Sequence, residues 1–333
     1  MNAPDPVLSM KAIVQPVFGG PEVLRSEQVA RPALRDDGVL VQIVAAGVTK
    51  GDWHLVTGTP YAIRIAGYGF SKPKNPIPGM AIAGRVAAVG ARVTAFRVGD
   101  EVFGEINRGG YAEYVCAAEG ELAIKPTTLS FEEAAAIPVS ATTALQGLRD
   151  AAKLQPGQSV LINGAAGGVG TFAVQIAKQM GAVVTAVCSA RNADLVRSLG
   201  ADHVLDYAQQ DFTAAGTKYD VIFDLIGNHS VAACRTVLTE KGRYIAAAGG
   251  AENPWVGPLF TTLGGMASNL TSAQAFVPLM AKPSKDDLTT VAAWMEAGTV
   301  RAVLDRRYTL EDGPEALRYL GAGHSVGKSV ILP

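Results

Sequence analysis

Cysteine is scarce in this chain: Cys116, Cys188 and Cys234 are the only three among 333 residues. They are widely spaced and odd in number, which excludes a disulfide framework, and no C-x-x-C pair offers a metal site. Charge of one sign is lacking too. Twenty-nine basic and thirty acidic residues leave a net charge of −1, so there is no electrostatic footprint for nucleic acid or an anionic membrane surface. No apolar run reaches membrane-spanning length. The first nine residues, MNAPDPVLS, have neither the basic start nor the apolar core of a secretory signal, and read as a loose extension. A reducing compartment, the cytoplasm, is the expected setting.

A hydrophobic content of 48% over 333 residues is ample for two well-formed cores. The most informative stretch is Val160 to Gly170, VLINGAAGGVG, an apolar strand that breaks into a glycine-rich turn and then a helix. Ala165, Gly167 and Gly170 occupy the three positions of the G-x-G-x-x-G fingerprint. Val169, Phe172, Ala173, Ile176, Ala177 and Met180 then recur with helical period, which predicts an amphipathic helix. Small residues let a backbone approach a pyrophosphate, whose charge is held by free N–H groups and the positive end of the helix dipole. Further apolar runs at Ala182 to Val187, His203 to Tyr207, Val221 to Leu225 and Tyr244 to Ala248 complete a βαβ series, as expected of a parallel sheet wound by helices.

The end of the second strand separates NAD from NADP, because a carboxylate there binds a ribose 2′-hydroxyl and a cation suits a 2′-phosphate. The chain reads Val187-Cys188-Ser189-Ala190-Arg191-Asn192, and the next carboxylate, Asp194, falls inside the following helix. Ser189 and Arg191 therefore favour NADPH. The competing reading of Arg191 is a solvated residue at a helix start.

From Met10 to about Pro126 the sequence has short β-rich runs at Lys11 to Val14, Val39 to Val48, Ile82 to Val89, Glu101 to Phe103 and Tyr111 to Val115, divided by glycine and proline turns. This reads as a small irregular β-barrel. Phe131 to Asp150 reads as helices that open the nucleotide domain. After that domain come helices at Asp286 to Ala297 and near Gly313 to Leu320, a run at Tyr308 to Leu310, and a final strand at Ser329 to Leu332. The expected division is 1–130 with 285–333 as one domain and 131–284 as the nucleotide-binding one.

At Gly164 to Gly170, at Ser198 to Val204 followed by Tyr207, at Ala281-Lys282-Pro283, and at Arg318-Tyr319-Leu320 with Gly323-His324 and Gly327-Lys328, the chain resembles the medium-chain dehydrogenase/reductase superfamily. It is most similar to the zinc-free NADPH:quinone oxidoreductase branch, over nearly its whole length. The resemblance implies an α/β protein with a GroES-like barrel joined to a Rossmann domain, an active site in the cleft between them, and a homodimer. It also implies that Ala166, Gly167, Gly168 and Val169 hold the pyrophosphate, that Ser189, Arg191 and Tyr207 surround the 2′-phosphate, and that Thr143 lies near the nicotinamide. His324 to Lys328 would be a carboxy-terminal loop over the cofactor. As a residue alone, Tyr207 is equally a strand-end aromatic covering the core, and His324 an exposed loop histidine.

Zinc-dependent members of the superfamily need a cysteine after the strand at Val39 to Val48, a histidine-glutamate pair near residue 80, and four clustered cysteines. The chain instead has Thr49 to His54 and Pro78-Gly79-Met80-Ala81 at the first two places, so no metal is expected, and His54 reads as an isolated hydrogen-bonded imidazole. The reaction implied is hydride transfer from NADPH to a quinone or to the β-carbon of an activated alkene. Candidates for holding the acceptor oxygen are Thr49, Lys50, Tyr61 and Tyr68, although a lysine beside glycine in a loop is usually solvated and Tyr61 is equally a packed aromatic. The segment Pro60 to Pro76 reads as a mobile loop over the acceptor. Family members commonly carry asparagine at position 49 and aspartate at 81. Thr49 and Ala81 therefore leave three readings open: a quinone or enone reductase, a zinc-free alcohol or ketone reductase, or an NADPH-binding protein with a non-redox or sensing role.

Overall fold

A computed structural model of the chain describes residues 8–247, 257–270 and 272–333. It begins with β1 (Ser9–Val14), β2 (Arg25–Ala30), β3 (Gly38–Gly47), α1 (Lys50–Thr57), β4 (Ala81–Val89), β5 (Glu101–Glu105), β6 (Tyr114–Ala118), β7 (Leu122–Ile124) and α2 (Phe131–Ala136). There follow α3 (Ser140–Gln146), β8 (Ser159–Asn163), α4 (Gly170–Gln179), β9 (Val183–Cys188), α5 (Ala193–Ser198), β10 (His203–Asp206) and β11 (Tyr219–Asp224). The chain continues through α6 (Val231–Thr236), β12 (Leu238–Ala246), α7 (Gly257–Ala267) and β13 (Ala275–Pro278). It ends with α8 (Lys285–Glu296), β14 (Leu304–Thr309), α9 (Gly313–Gly321) and β15 (Lys328–Leu332). By contact density the chain forms two units, one made of the residues up to Val139 with Pro283–Glu296 and Leu304–Pro333, the other of Ser140–Lys282 with Ala297–Val303.

In the first unit β3 is the hub. It pairs antiparallel with β4, β6 and β15, and the sheet runs β14-β15-β3-β4-β5-β7. Its sequence GVLVQIVAAG buries Val39, Val41 and Ile43 on one side, where they join Ile82, Val102 and Ile331 in a single core. A Cβ on Gly47 would lie 2.3 Å from the carbonyl oxygen of Ala135, so glycine at that point lets α2 lie directly on the strand. For that reason α2 belongs to the barrel unit, and the chain enters the second unit at Ser140 rather than near 131. Among the elements not expected, β2, RSEQVA, is almost wholly exposed, and α1 lies where the sequence reads as a loop.

The second unit is a parallel sheet in the order β10-β9-β8-β11-β12-β13, two βαβ halves diverging from β8 and β11. Central β8 is a continuous apolar run with Val160, Leu161 and Ile162 fully buried, as a parallel strand covered on both faces requires. The helix expected to be amphipathic, α4, is instead buried all round from Gly170 to Ala177. Its polar residue Gln175 is used internally, donating to the Arg301 carbonyl at 3.0 Å and accepting the Arg301 N–H at 2.8 Å. Of the expected run Tyr244 to Ala248, the residues through Ala246 form the end of β12, while Ala248 lies outside the described residues.

Candidate active site

In the second unit the strand order reverses between β8 and β11, and open parallel sheets bind ligands at the C-terminal ends of the strands flanking such a point. The turn after β8 folds back on itself. Gly164 stands at φ 89°, the N–H groups of Gly164 and Ala165 donate to the Val187 carbonyl at 3.2 and 3.0 Å, and Gly167 donates to the Gly164 carbonyl at 3.1 Å. A Cβ on Gly170 would lie 2.2 Å from the Gly164 carbonyl oxygen, so the turn closes only on glycine there. Gly167 differs, because its Cβ would meet only that same oxygen at 3.4 Å. Its freedom from contact leaves room for a ligand. Ala166, Gly168 and Val169 lead into α4, which no side chain caps, and within its first turn the Thr171 N–H donates to the Gly167 carbonyl at 3.0 Å.

β9 ends at Cys188, and Ser189 continues in extended conformation before the short turn Ala190–Asn192. Asn192 Nδ2 donates to Ser189 Oγ at 3.2 Å. The N–H of Tyr207 donates to the Cys188 carbonyl at 3.3 Å, which sets Tyr207 beside Ser189. Its ring is 59% exposed, so it does not cover the core. Arg191 is exposed on the same turn. Asp206, the register partner of Cys188, turns its carboxylate onto the Ala208 N–H at 3.1 Å.

A cluster that the sequence reading missed fixes the other side of the switch point. Asp224 is buried at the end of β11, where Oδ1 accepts Asn163 Nδ2 at 2.9 Å and the N–H groups of Ile226 and Gly227 at 3.0 and 2.9 Å. Its Oδ2 accepts the Tyr244 hydroxyl at 2.6 Å. Burial, with Asp224 beside it, pushes the Tyr244 phenol up, so it stays a donor. The signal in the sequence is that Asn163 and Asp224 each end an otherwise apolar strand. Thr143 sits half-buried on α3, which packs against α4 and is followed by Gly147, whose Cβ would lie 2.6 Å from the Phe223 ring.

In the first unit Thr49 and Lys50 open α1. Thr49 is its N-cap, and Lys50, expected in a loop, is its first residue. The Thr49 hydroxyl accepts the Asp52 N–H at 3.1 Å and donates to Asp52 Oδ2 at 2.7 Å, while the Thr49 N–H donates to the same oxygen at 2.8 Å. Both residues are buried, and Tyr111 adds its hydroxyl to Oδ2 at 3.0 Å. The Thr49 hydroxyl is therefore engaged on both sides, its oxygen by the Asp52 N–H as the helix cap and its proton by Asp52 Oδ2. Burial raises the Asp52 carboxyl and holds the Tyr111 phenol well above its ordinary value.

Lys50 is exposed, with Nζ 5.4 Å from the centre of the Trp53 ring, and desolvation lowers its ammonium. Tyr61 is half-buried, with the Arg64 guanidinium 4.6 Å from its ring centre and 4.7 Å from that of Phe18. Arg64 Nε donates to the Gly58 carbonyl at 3.0 Å, and the Lys74 N–H donates to the Tyr68 carbonyl at 3.0 Å. Residues 60–76 are thus an anchored segment, with Tyr68 half-buried within it. His54 places Nδ1 2.8 Å from the Thr59 carbonyl, and burial lowers its imidazole.

His324 is exposed after α9. Lys328, expected on a loop over the cofactor, is the first residue of β15, only 2% exposed, and donates Nζ to the Val48 carbonyl at 2.7 Å. Its place is beneath the Val48–Thr49 backbone, and burial, against the pull of Asp52, pushes it down to about 8. Ala81 stands opposite Glu105 in the β4–β5 register, so the buried carboxylate at this place comes from β5.

Two family models match the chain, an alcohol dehydrogenase GroES-like domain over residues 35–127 and a zinc-binding dehydrogenase domain over residues 199–331. A 2-methylene-furan-3-one reductase of Solanum lycopersicum is 32% identical over 97% of this chain and 79% of its own length. An NADPH-dependent alkenal/one oxidoreductase, chloroplastic, of Arabidopsis thaliana is 31% identical over 97% of this chain and 80% of its own. The solved structure of the quinone oxidoreductase from Coxiella burnetii superposes with a TM-score of 0.85 at 27% identity, covering 98% of this chain and 100% of that one. The fold, with its GroES-like unit and its parallel nucleotide-type sheet, and the relatives agree: the chain is an oxidoreductase that belongs to the quinone oxidoreductase branch of the medium-chain dehydrogenase/reductase superfamily.

Proposed function

We propose that the chain is a zinc-independent, NADPH-dependent reductase that delivers hydride to a quinone or to the β-carbon of an α,β-unsaturated carbonyl. The observation that carries this reading is the opening at Gly167 under the uncapped start of α4, with Ser189, Arg191 and Tyr207 gathered at the end of β9. Ala166, Gly167, Gly168 and Val169 hold the pyrophosphate, and Ser189, Arg191 and Tyr207 hold the 2′-phosphate. Thr143 and the exposed His324 serve the nicotinamide side and the cofactor's cover. Bound there, the cofactor supplies the hydride from C4 of its nicotinamide. The names of the tomato and Arabidopsis relatives and of the Coxiella structure support the acceptor class.

Zinc does not fit the residues at the catalytic positions. Thr49 has its hydroxyl bound to Asp52, Met80 offers a thioether, and Ala81 offers a methyl. Charge on the acceptor oxygen is therefore met by side-chain donors. Lys50 stands at the exposed start of α1, and Tyr61 and Tyr68 lie on the anchored segment that follows it. Lys50 donates to the developing enolate oxygen, and Thr49 serves by fixing the start of the helix that carries Lys50. The same reading takes the protein as a homodimer in a reducing cytoplasm, supported by the family resemblance and by the free thiols of Cys116, Cys188 and Cys234.

The test is loss of NADPH absorbance with a panel of quinones, enones and saturated ketones, with product analysis. Turnover of enones to products that keep the carbonyl supports the reading. Turnover of saturated ketones alone assigns an alcohol or ketone reductase instead. Tight NADPH binding with no acceptor reduced would sink it.

A further inference from the structure

Within the second unit, β8 and β11 are register partners as far as Asn163 and Asp224, the last residues of the two strands. Beyond them the chain leaves the sheet on opposite sides, through the glycine turn towards β9 and through residues 225–230 towards β12. One backbone bond crosses after the ladder, from the Leu225 N–H to the Asn163 carbonyl at 3.1 Å. Among the described residues no other backbone bond joins 164–170 to 225–230. The spacing of the two loops is therefore left to side chains.

Asp224, fully buried, supplies the link. Its Oδ1 gathers Asn163 Nδ2 at 2.9 Å with the N–H groups of Ile226 and Gly227, and the chain turns there with Gly227 at φ 74°. Asn163 Nδ2 also donates to Asn228 Oδ1 at 2.9 Å, so the residue that opens the glycine turn is bonded to the second loop at two side chains. The Ile226 side chain in turn rests on the glycine turn, because a Cβ on Gly164 would lie 2.8 Å from its Cδ1. Oδ2 faces the other way, to the Tyr244 hydroxyl on β12. Bonds to a buried charge largely offset the cost of taking it out of water, so they add little net stability. What the Oδ1 bonds supply is a fixed geometry at the C-terminal ends of two strands, beside the turn where the pyrophosphate is proposed to lie.

We propose that Asp224 and Asn163 are positioning residues for the dinucleotide: through Asp224 Oδ1 they hold residues 225–228 against Gly164 and so keep the glycine turn in the shape that takes the pyrophosphate. This rests on the reading of that turn as the pyrophosphate site. The pyrophosphate is common to both nicotinamide cofactors, so the pair acts on NADPH and NADH alike. The bond from Tyr244 to Oδ2 serves packing only. In Asp224→Asn the amide oxygen accepts the same three N–H groups and the amide nitrogen donates to the Tyr244 oxygen, whereas Asp224→Ala releases the loop.

The test is calorimetric titration with NADPH and with NADH, alongside the melting midpoint of the cofactor-free protein, on Asp224→Ala, Asp224→Asn, Asn163→Ala and Tyr244→Phe. Asp224→Ala raises both Kd values by the same factor, about tenfold or more, and Asn163→Ala raises them about threefold or more, while Asp224→Asn stays within about threefold of the parent. Tyr244→Phe lowers the melting midpoint by a few degrees and leaves both Kd values within about twofold, which isolates the effect of lost stability. A Tyr244→Phe protein that binds as weakly as Asp224→Ala, an Asn variant as weak as the Ala variant, or an Asp224→Ala protein that melts lower but binds as the parent does, overturns the proposal. If Asp224→Ala does not fold, Asn163→Ala decides, because it leaves Asp224 holding both loop N–H groups, and parental Kd values there overturn the proposal. If the parent binds neither cofactor, the functional reading fails by itself. Amide hydrogen exchange on the cofactor-free protein then tests the link: through residues 164–168 it accelerates about tenfold in Asp224→Ala and Asn163→Ala and not in Tyr244→Phe. Equal exchange in Asp224→Ala and Tyr244→Phe would overturn the role of Asp224.

Discussion

Thr49 and Asp52 close on each other at the start of α1: the hydroxyl of Thr49 caps the Asp52 N–H, and one Asp52 oxygen takes both the hydroxyl and the N–H of Thr49. Tyr111 adds a third bond to that oxygen from the barrel interior. The pair therefore ties the first turn of a short helix to the core, and Lys50 is presented as a consequence.

Thr49→Ala should lower stability by about 1–2 kcal/mol, the value of an N-cap, while kcat falls less than about tenfold. Asp52→Ala should cost about 3 kcal/mol or more, because Tyr111 and Thr49 are left without a buried partner. Asp52→Asn keeps an accepting oxygen and should lie between the two. Denaturant titration of the three variants orders them. A Thr49→Ala protein of parental stability and negligible kcat would make the hydroxyl catalytic after all.

Gly167 and Gly170 should separate binding from folding. Gly170→Ala drives a Cβ into the Gly164 carbonyl and should lower the melting midpoint by several degrees, equivalent to about 1–3 kcal/mol. Gly167→Ala meets only an ordinary contact, so the fold should stand while NADPH affinity drops about tenfold or more. Calorimetry of each variant with and without NADPH measures both effects.

Arg191→Ala should raise the Kd for NADPH about tenfold or more and that for NADH less than twofold, since a charge-assisted bond to phosphate is worth about 1.5–3 kcal/mol. Equal losses for the two cofactors would remove Arg191 from 2′-phosphate recognition.

Lys328 makes stability depend on pH at the alkaline end. Its folded value, about 8, lies below its ordinary 10.5, so between those two the unfolded chain binds more protons than the folded one. Stability from this group therefore rises as pH climbs from about 8 towards 10.5, and below 8 the burial penalty is constant, up to about 3 kcal/mol. Lys328→Met should abolish that alkaline gain in the melting midpoint relative to the parent. A parallel pH profile for the two proteins would show that Lys328 stays charged in the folded state.

The nucleotide half of the fold was legible because its signals are local. The apolar run of β8, the spacing of Ala165, Gly167 and Gly170, and the periodic residues of α4 are contiguous, and each restricts the backbone where it stands. Even there, the hydrogen-bond partner of the buried Gln175 on α4 is the backbone of Arg301, 126 residues away. The barrel half was less legible. β2 is an exposed polar edge, and α1 is announced only by a capping box hidden in Thr49-Lys50-Gly51-Asp52.

By itself the sequence determined the parallel sheet, the glycine turn after β8, and the residue types Thr49, Met80 and Ala81 at the places where zinc-dependent relatives carry ligands. Only the tertiary structure decided what the polar residues do. Thr49 became a helix cap, Lys328 a buried support for Val48, and Glu105 the partner of Val139. The physical reason is that a buried polar group must find its partner wherever the fold supplies one, and here the partners of Lys328 and Glu105 lie 280 and 34 residues away.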